Sequence, residues 1–130
     1  MAEHQRFPSE VASFIASCID SVEQVEILLT LRSDRTRHWT VEELSRGQHS
    51  SVHSVHLRLG RLIDSGLVAG EGSSYVYAAP PEADELVRRL AELYADRRTA
   101  VIERIFSEPR DPLQSFADAF RLRKEVRDDE

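Results

Sequence analysis

A helix signal that runs directly into a strand signal, within residues 50–68, constrains the fold of this chain most strongly. Ser50 or Ser51 can cap the first turn, because a serine oxygen accepts an otherwise unpaired backbone N–H. Gly66 suits the left-handed position that often follows a helix, and Leu67-Val68 then begins a strand. The helix is expected to bury one apolar face, whose members recur at helical spacing: Val52, Val55, Leu59, Leu62 and Ile63.

A shorter helix signal lies upstream of this run. Thr40 and Glu43 have the spacing of a capping box, in which the threonine caps the helix and the glutamate reaches back to the cap. Trp39 and Leu44 can pack together at the start of the same helix. We therefore expect a helix from Thr40 to about residue 46 or 48, followed by the helix described above.

A β-hairpin is predicted after the second helix. Residues 67–70 and 74–79 are typical of strands, and Gly72 can supply a positive φ in the turn between them. Tyr75 and Tyr77 alternate to one face of the second strand. The tip of this hairpin carries Glu71 and neither arginine nor lysine.

This order of elements resembles a winged helix-turn-helix, over about residues 21–80. In layout the chain is similar to small bacterial regulators of the MarR, PadR and ArsR type. The resemblance implies a mainly α fold with a small β-hairpin wing, and a recognition helix that lies in the major groove of DNA. It depends on these residues of the recognition helix and first wing strand: Ser51, Ser54, Val55, Leu59, Leu62, Gly66, Leu67 and Val68.

The segments outside this motif are predicted to be helical. Residues 1–20 contain an N-terminal helix, and residues 81–107 are predicted to form one helix of about 40 Å. Residues 108–130 are predicted to form a short helix and a disordered tail. An apolar stripe that extends past its own domain needs a partner, so we expect a homodimer whose interface is formed by the N-terminal helix and the long helix together. The alternative is that the N-terminal helix folds back over the stripe. The stripe consists of Leu86, Leu90, Leu93, Tyr94, Val101 and Ile105.

The candidate DNA-binding residues lie on the recognition helix and in the polar loop before Trp39. Outward side chains of the helix would reach base edges, and the arginines would contact phosphates. We expect a transcriptional regulator that binds double-stranded DNA as a homodimer at a palindromic site. The predicted contacts are Ser51, His53, Ser54, His56, Leu57, Arg58, Arg61, Arg35 and Arg37.

The charge balance favours an alternative function. The chain has a net charge of −6, whereas DNA affinity comes largely from lysine and arginine. Leu57 stands at an outward position where many regulators carry a polar or basic residue. The alternative is a winged-helix adaptor that binds a protein partner through Leu57, or through Phe116 and Phe120 in the C-terminal segment.

Other functional classes have little support in the sequence. The glycines are scattered rather than grouped into a phosphate-binding loop, so we expect no enzyme activity and no cofactor. His49, His53 and His56 are close in sequence, and the last two are one helical turn apart, but no carboxylate or thiol adjoins them at helical spacing, so no metal site is predicted. Cys18 is interpreted as a buried structural thiol, with a redox switch as the alternative. No signal peptide or membrane span is recognisable, which favours a cytoplasmic location.

Overall fold

The computed structural model describes residues 7–107, and in this range helices pack around a small antiparallel sheet. This agrees with the mainly helical fold class expected from the sequence. The predicted C-terminal helix with Phe116 and Phe120 lies outside the described residues. The elements are α1 (Ser9–Cys18), α2 (Val22–Ser33), β1 (Trp39–Thr40), α3 (Val41–Gln48), α4 (Val52–Asp64), β2 (Val68–Glu71), β3 (Ser74–Tyr77), α5 (Pro81–Asp96) and α6 (Arg98–Ser107).

Helix α4 forms where the apolar spacing predicts it. Ser51 is the N-cap, and its hydroxyl oxygen accepts a hydrogen bond from the Ser54 backbone N–H at 3.0 Å. After the helix, Gly66 has a φ of 79°, which is the left-handed conformation expected there. The buried face of α4 consists of Val55, Leu59 and Leu62.

The outer members of the predicted apolar face of α4 are exposed. Val52 is 47% exposed and Ile63 is 37% exposed, so the prediction that they are buried was wrong. Val52 is the first residue of the helix, and helical side chains lean toward the N-terminus, so it projects past the elements packed beneath α4. Ile63 lies at the edge of the helix, beside Gly70 of β2.

Helix α3 has the capping box predicted from the sequence. The Glu43 N–H donates to Thr40 Oγ1 at 3.1 Å, and the Thr40 N–H donates to Glu43 Oε1 at 2.9 Å. The helix ends at Gln48, and His49 adopts a left-handed conformation with a φ of 56°. The Ser50 N–H then donates to the Ser45 carbonyl at 3.0 Å, which fixes the turn into α4.

The hairpin is present, and a third strand joins it. The sheet is antiparallel with the order β1–β3–β2, and Trp39 of β1 pairs with Tyr75 of β3. Gly72, in the turn between β2 and β3, has a φ of 61° as expected. Pairing with β1 was not predicted from the sequence, and it fixes the start of α3 against the hairpin.

The prediction of one helix over residues 81–107 was wrong. Helix α5 ends at Asp96, and Arg97 leaves helical geometry with a φ of −136° and a ψ of 56°. Helix α6 then packs against α1, so that Val101 and Ile105 are 0% and 2% exposed. The break therefore buries within one chain an apolar surface that a straight helix would have left uncovered.

Candidate functional site

On the side opposite its buried face, helix α4 exposes a continuous row of residues to solvent, some polar and some apolar. His53, His56, Leu57 and Gly60 follow one another at the spacing of one helical side, and all four are exposed. Leu57 is 50% exposed. We refer to these four residues as the α4 strip. Three of its members, His53, His56 and Leu57, are among the DNA contacts predicted from the sequence.

The packing of residues 7–107 does not explain why position 60 is a glycine. A Cβ atom added to it would have no neighbour within 4 Å in that part of the chain, and its φ is not positive. A glycine inside a helix destabilises it by about 1 kcal/mol relative to alanine. A glycine at this position would, however, let another molecule approach the helix backbone closely.

An open groove of about 570 Å³ runs beside the α4 strip. It lies between the starts of α3 and α4 and the β2–β3 hairpin, and its lining is mainly apolar. The exposed Val52 contributes to its wall, together with the ring of Tyr75. The groove is lined by Val41, Glu42, Val52, His53, His56, Ser73 and Tyr75.

The two arginines of α4 are held by carboxylates from the start of α2. Glu23 Oε1 accepts hydrogen bonds from the Ser54 hydroxyl at 2.6 Å and from Arg58 Nε at 3.0 Å. Arg61 Nη1 lies 2.7 Å from Asp20 Oδ2. The sequence predicted Ser54, Arg58 and Arg61 as DNA contacts. In this structure their side chains instead contact carboxylates of their own chain.

Glu23 remains ionised at neutral pH in this environment. Burial raises the pKa of its carboxyl group, but donors from Ser50, Ser54 and Arg58 outweigh that effect and leave the pKa below its ordinary value. Among the residues that the structure describes, neither Glu23 Oε2 nor Asp20 Oδ1 has a hydrogen-bond partner, although both atoms are buried. Each carboxylate thus uses one oxygen to hold an arginine.

The arginines of the loop between α2 and β1 are paired as well. Arg35 Nη1 lies 3.3 Å from Asp84 Oδ2, and Arg37 Nη2 lies 3.4 Å from Glu43 Oε2. The Arg37 guanidinium also stacks over the Trp39 ring, 3.6 Å from its centroid. All four arginines that the sequence predicted as DNA contacts therefore form ion pairs within the chain.

Asp84 joins three elements behind this loop. It accepts hydrogen bonds from Arg32 Nε at 2.9 Å and from the Tyr77 hydroxyl at 2.5 Å. The hydrogen bond from Arg32 lowers the pKa of Asp84 to about 2, against an opposing effect of burial, and the Tyr77 bond adds to the lowering. Burial and the Asp84 contact in turn raise the pKa of Tyr77. Asp84 thus fixes the C-terminal end of α2 against β3 and α5.

The predicted dimerisation stripe is largely covered within the chain. Leu90, Val101 and Ile105 are at most 2% exposed, so their side chains lie in the core of the single chain. Leu86, Leu93 and Tyr94 are partly buried. The Tyr94 hydroxyl donates to Glu26 Oε2 at 2.6 Å, and burial together with this contact raises the pKa of Tyr94 to about 12.

The pairing carboxylates and the groove were not recognised from the sequence. Asp20 and Glu23 stand where acidic residues cap or begin helices, and that position already explains them locally. Their arginine partners are distant in sequence, since Arg58 lies 35 residues after Glu23. A capping role at Ser50 or Ser51 was recognised, because the Ser54 N–H that Ser51 accepts lies within one turn.

Several other classes of site have no support in the described part of the chain. No three histidine, cysteine, aspartate or glutamate residues within residues 7–107 are arranged to hold a metal ion. No helix in that range is long and apolar enough to cross a membrane. Cys18 is half-buried, and burial raises the pKa of its thiol more than a hydrogen bond with Ser65 lowers it.

No protein-family model, curated protein or solved structure matches this chain.

Proposed function

We propose that this protein is a winged helix-turn-helix regulator that binds duplex DNA. In this proposal α3 and α4 are the two helices of the motif, α4 is the recognition helix, and the β2–β3 hairpin is the wing. An α-helix with its side chains is about 10–12 Å across, which fits the major groove at about 12 Å. Two copies would bind a palindromic site as a homodimer.

The α4 strip is the observation that carries this proposal. His53 and His56 have ring nitrogens that can contact guanine acceptors or phosphates, and Leu57 can contact a thymine methyl group. Gly60 lies on the same exposed side, where its missing side chain allows close approach of a sugar–phosphate strand.

The ion pairs of the arginines are compatible with phosphate binding. Arg61 and Arg35 are 60% and 52% exposed, and ion pairs at such positions contribute about 0–1 kcal/mol. A phosphate can therefore replace the Asp84 carboxylate at Arg35 at low cost, because that carboxylate keeps Arg32 as a partner. The Asp20 carboxylate that holds Arg61 is only 20% exposed and is harder to displace. The contribution of these arginines to DNA affinity is smaller than that of unpaired arginines, because the carboxylate stays near the phosphate.

The homodimer would use a surface that shares only Leu86 with the stripe predicted from the sequence. Phe106, on α6, is 73% exposed, and a shallow groove between α1 and α5 is lined in part by Phe14 and Leu86. Both lie on elements outside the α3–α4 motif. Size-exclusion chromatography with light scattering of Phe106→Ser and wild-type protein tests this part, and an unchanged mass would contradict the role of Phe106.

The first experiment measures binding of random-sequence duplex DNA by fluorescence anisotropy across a salt series. Wild-type protein is expected to bind at low salt and to lose affinity as salt rises. Gly60→Asp places a negative charge on the α4 strip with no clash among residues 7–107, so it is expected to abolish binding without unfolding the protein. Ala95→Asp, at an exposed position of α5, adds the same charge elsewhere and should bind as wild type. Equal binding by both variants would contradict the proposal.

A second candidate function is supported by the apolar groove. Val52 is exposed in its wall, and Leu57 is exposed on the α4 strip. The nearby arginines are neutralised by carboxylates, so the surface also suits an apolar anchor of a protein partner. A displayed peptide library selected on wild-type protein and counter-selected on Val52→Ser/Leu57→Ser protein tests this function. Enrichment of peptides with an apolar anchor is expected, and no enrichment would contradict it.

A further inference from the structure

We infer that Asp20 and Glu23 are specificity-determining residues, which withhold the α4 arginines from DNA phosphates unless base contacts compensate. This inference rests on the proposed function. It concerns a short segment that ends α1, links the two helices and begins α2, and that the sequence-based prediction did not connect with DNA. We refer to this segment, residues 18–24, as the α1–α2 corner.

The contacts of the corner follow one side of α4. Glu23 holds Ser54 and Arg58, and Asp20 holds Arg61 near the end of the helix. These three α4 residues lie three and four positions apart, so they form one row on the helix. The α1–α2 corner therefore occupies a whole side of the helix next to the α4 strip.

Gln24 fixes the corner in this position. Its side chain is fully buried and is the buried polar residue of the described core. Gln24 Oε1 accepts the Asp20 N–H at 2.8 Å, and Gln24 Nε2 donates to the Cys18 carbonyl at 2.7 Å. Ser21 caps α2 by accepting the Gln24 N–H at 3.1 Å. The two carboxylates are thus placed by the fold rather than by flexible surface side chains.

The consequence for DNA binding follows from the origin of non-specific affinity. Neutralisation of phosphates by lysine and arginine supplies essentially all of the affinity for random DNA. An arginine bound to a fixed carboxylate adds little net positive charge, and the carboxylate repels an approaching phosphate. Random DNA is therefore bound weakly, whereas a duplex with favourable base contacts to the α4 strip offsets the cost of exchanging partners.

The variant Asp20→Asn/Glu23→Gln removes both charges while keeping the size of the side chains. Its matched control is Glu85→Gln/Glu92→Gln on α5, where both glutamates pair with Arg88. Both variants change the net charge by the same amount. Circular dichroism and urea unfolding verify that each is folded, and Glu23→Gln alone serves as a second variant with one freed arginine.

Affinity for random duplex DNA is measured by anisotropy across the salt series. Each freed arginine is expected to steepen the slope of log K against log salt by about 0.9, so the double variant should be steeper by about 1.8. Over a fourfold range of salt this corresponds to an additional change in affinity of about tenfold. The control variant should keep the wild-type slope.

The possible outcomes separate this inference from the proposed function. A steeper slope and tighter random-DNA binding for Asp20→Asn/Glu23→Gln than for the control support the inference, even where wild-type binding is too weak to measure. Binding by wild type with equal slopes for the two double variants overturns the inference and leaves the DNA-binding proposal intact. Absence of binding by all of the proteins at low salt overturns both.

Discussion

Asp84 connects α2, β3 and α5, and its replacement by asparagine gives a quantitative test of the electrostatics described above. The neutral amide of the Asp84→Asn variant cannot accept from Arg32, Arg35 and Tyr77 as a charged group, so the change leaves the Arg32 guanidinium without its ionised partner. Arg32 is only 21% exposed, which makes the loss costly. Asp84→Asn is therefore expected to destabilise the fold and to loosen the arginine-bearing loop.

The magnitude follows from the pKa of Asp84. The pKa falls from 3.8 to about 2 on folding, which corresponds to about 2 kcal/mol of unfolding free energy at pH 7. The Asp84 side chain is 18% exposed, so solvent screens only part of this contribution. Because the folded-state pKa is depressed, the contribution is complete above pH 3.8 and is lost as the pH falls through about 2. About half of it should remain at about pH 3.

The assay is urea unfolding of wild-type and Asp84→Asn protein, followed by circular dichroism at about pH 7, 4 and 3. The difference in unfolding free energy should be about 2 kcal/mol at about pH 7 and should shrink by about half at about pH 3. Glu85→Gln, at the next position, removes a carboxylate that pairs with Arg88 at the surface and should change stability little. A difference that is independent of pH, or equal for both variants, would refute this reasoning.

Two further predictions concern single residues of α4 and of the turn that precedes it. Gly60→Ala should raise the unfolding free energy by about 1 kcal/mol, because alanine favours a helix and the position is open within residues 7–107, and it should weaken DNA binding if the backbone of α4 meets DNA there. Urea unfolding and anisotropy measure the two effects. Equal DNA affinity of Gly60→Ala and wild-type protein would contradict a close approach of DNA to the α4 backbone at this position. His49→Gly should also stabilise the protein, by up to about 1 kcal/mol, because a φ of 56° strains a residue with a Cβ atom. His49→Ala keeps the Cβ atom and serves as the control, so equal melting temperatures for the two variants would contradict the assigned strain.

Local signals in the sequence were sufficient for several elements. The caps at Ser51 and Thr40 and the positive φ at Gly66 depend on groups within about one helical turn, so residue type and spacing predicted them correctly. The hairpin between β2 and β3 was predicted for the same reason. The mainly helical composition and the presence of a small antiparallel sheet were confirmed as well.

Predictions from local sequence patterns were wrong where the burial of apolar side chains in the tertiary structure determines the conformation. Residues 81–107 have a continuous apolar stripe, which predicts one long helix, yet the helix breaks at Arg97. The gain from burying Val101 and Ile105 against α1 outweighs the loss of helical geometry at one residue. Val52 was assigned to the buried face by its spacing, but its place at the helix end leaves it exposed.

The amino-acid sequence by itself determined the succession of α3, α4, β2 and β3, because caps, turns and apolar periodicity act between neighbouring residues. Only the tertiary structure decided the electrostatic character of the candidate site. Arg58 finds Glu23 across 35 positions, and Arg32 finds Asp84 across 52. Such pairs are made when helices pack side by side, and no spacing rule along the chain specifies which carboxylate an arginine will meet.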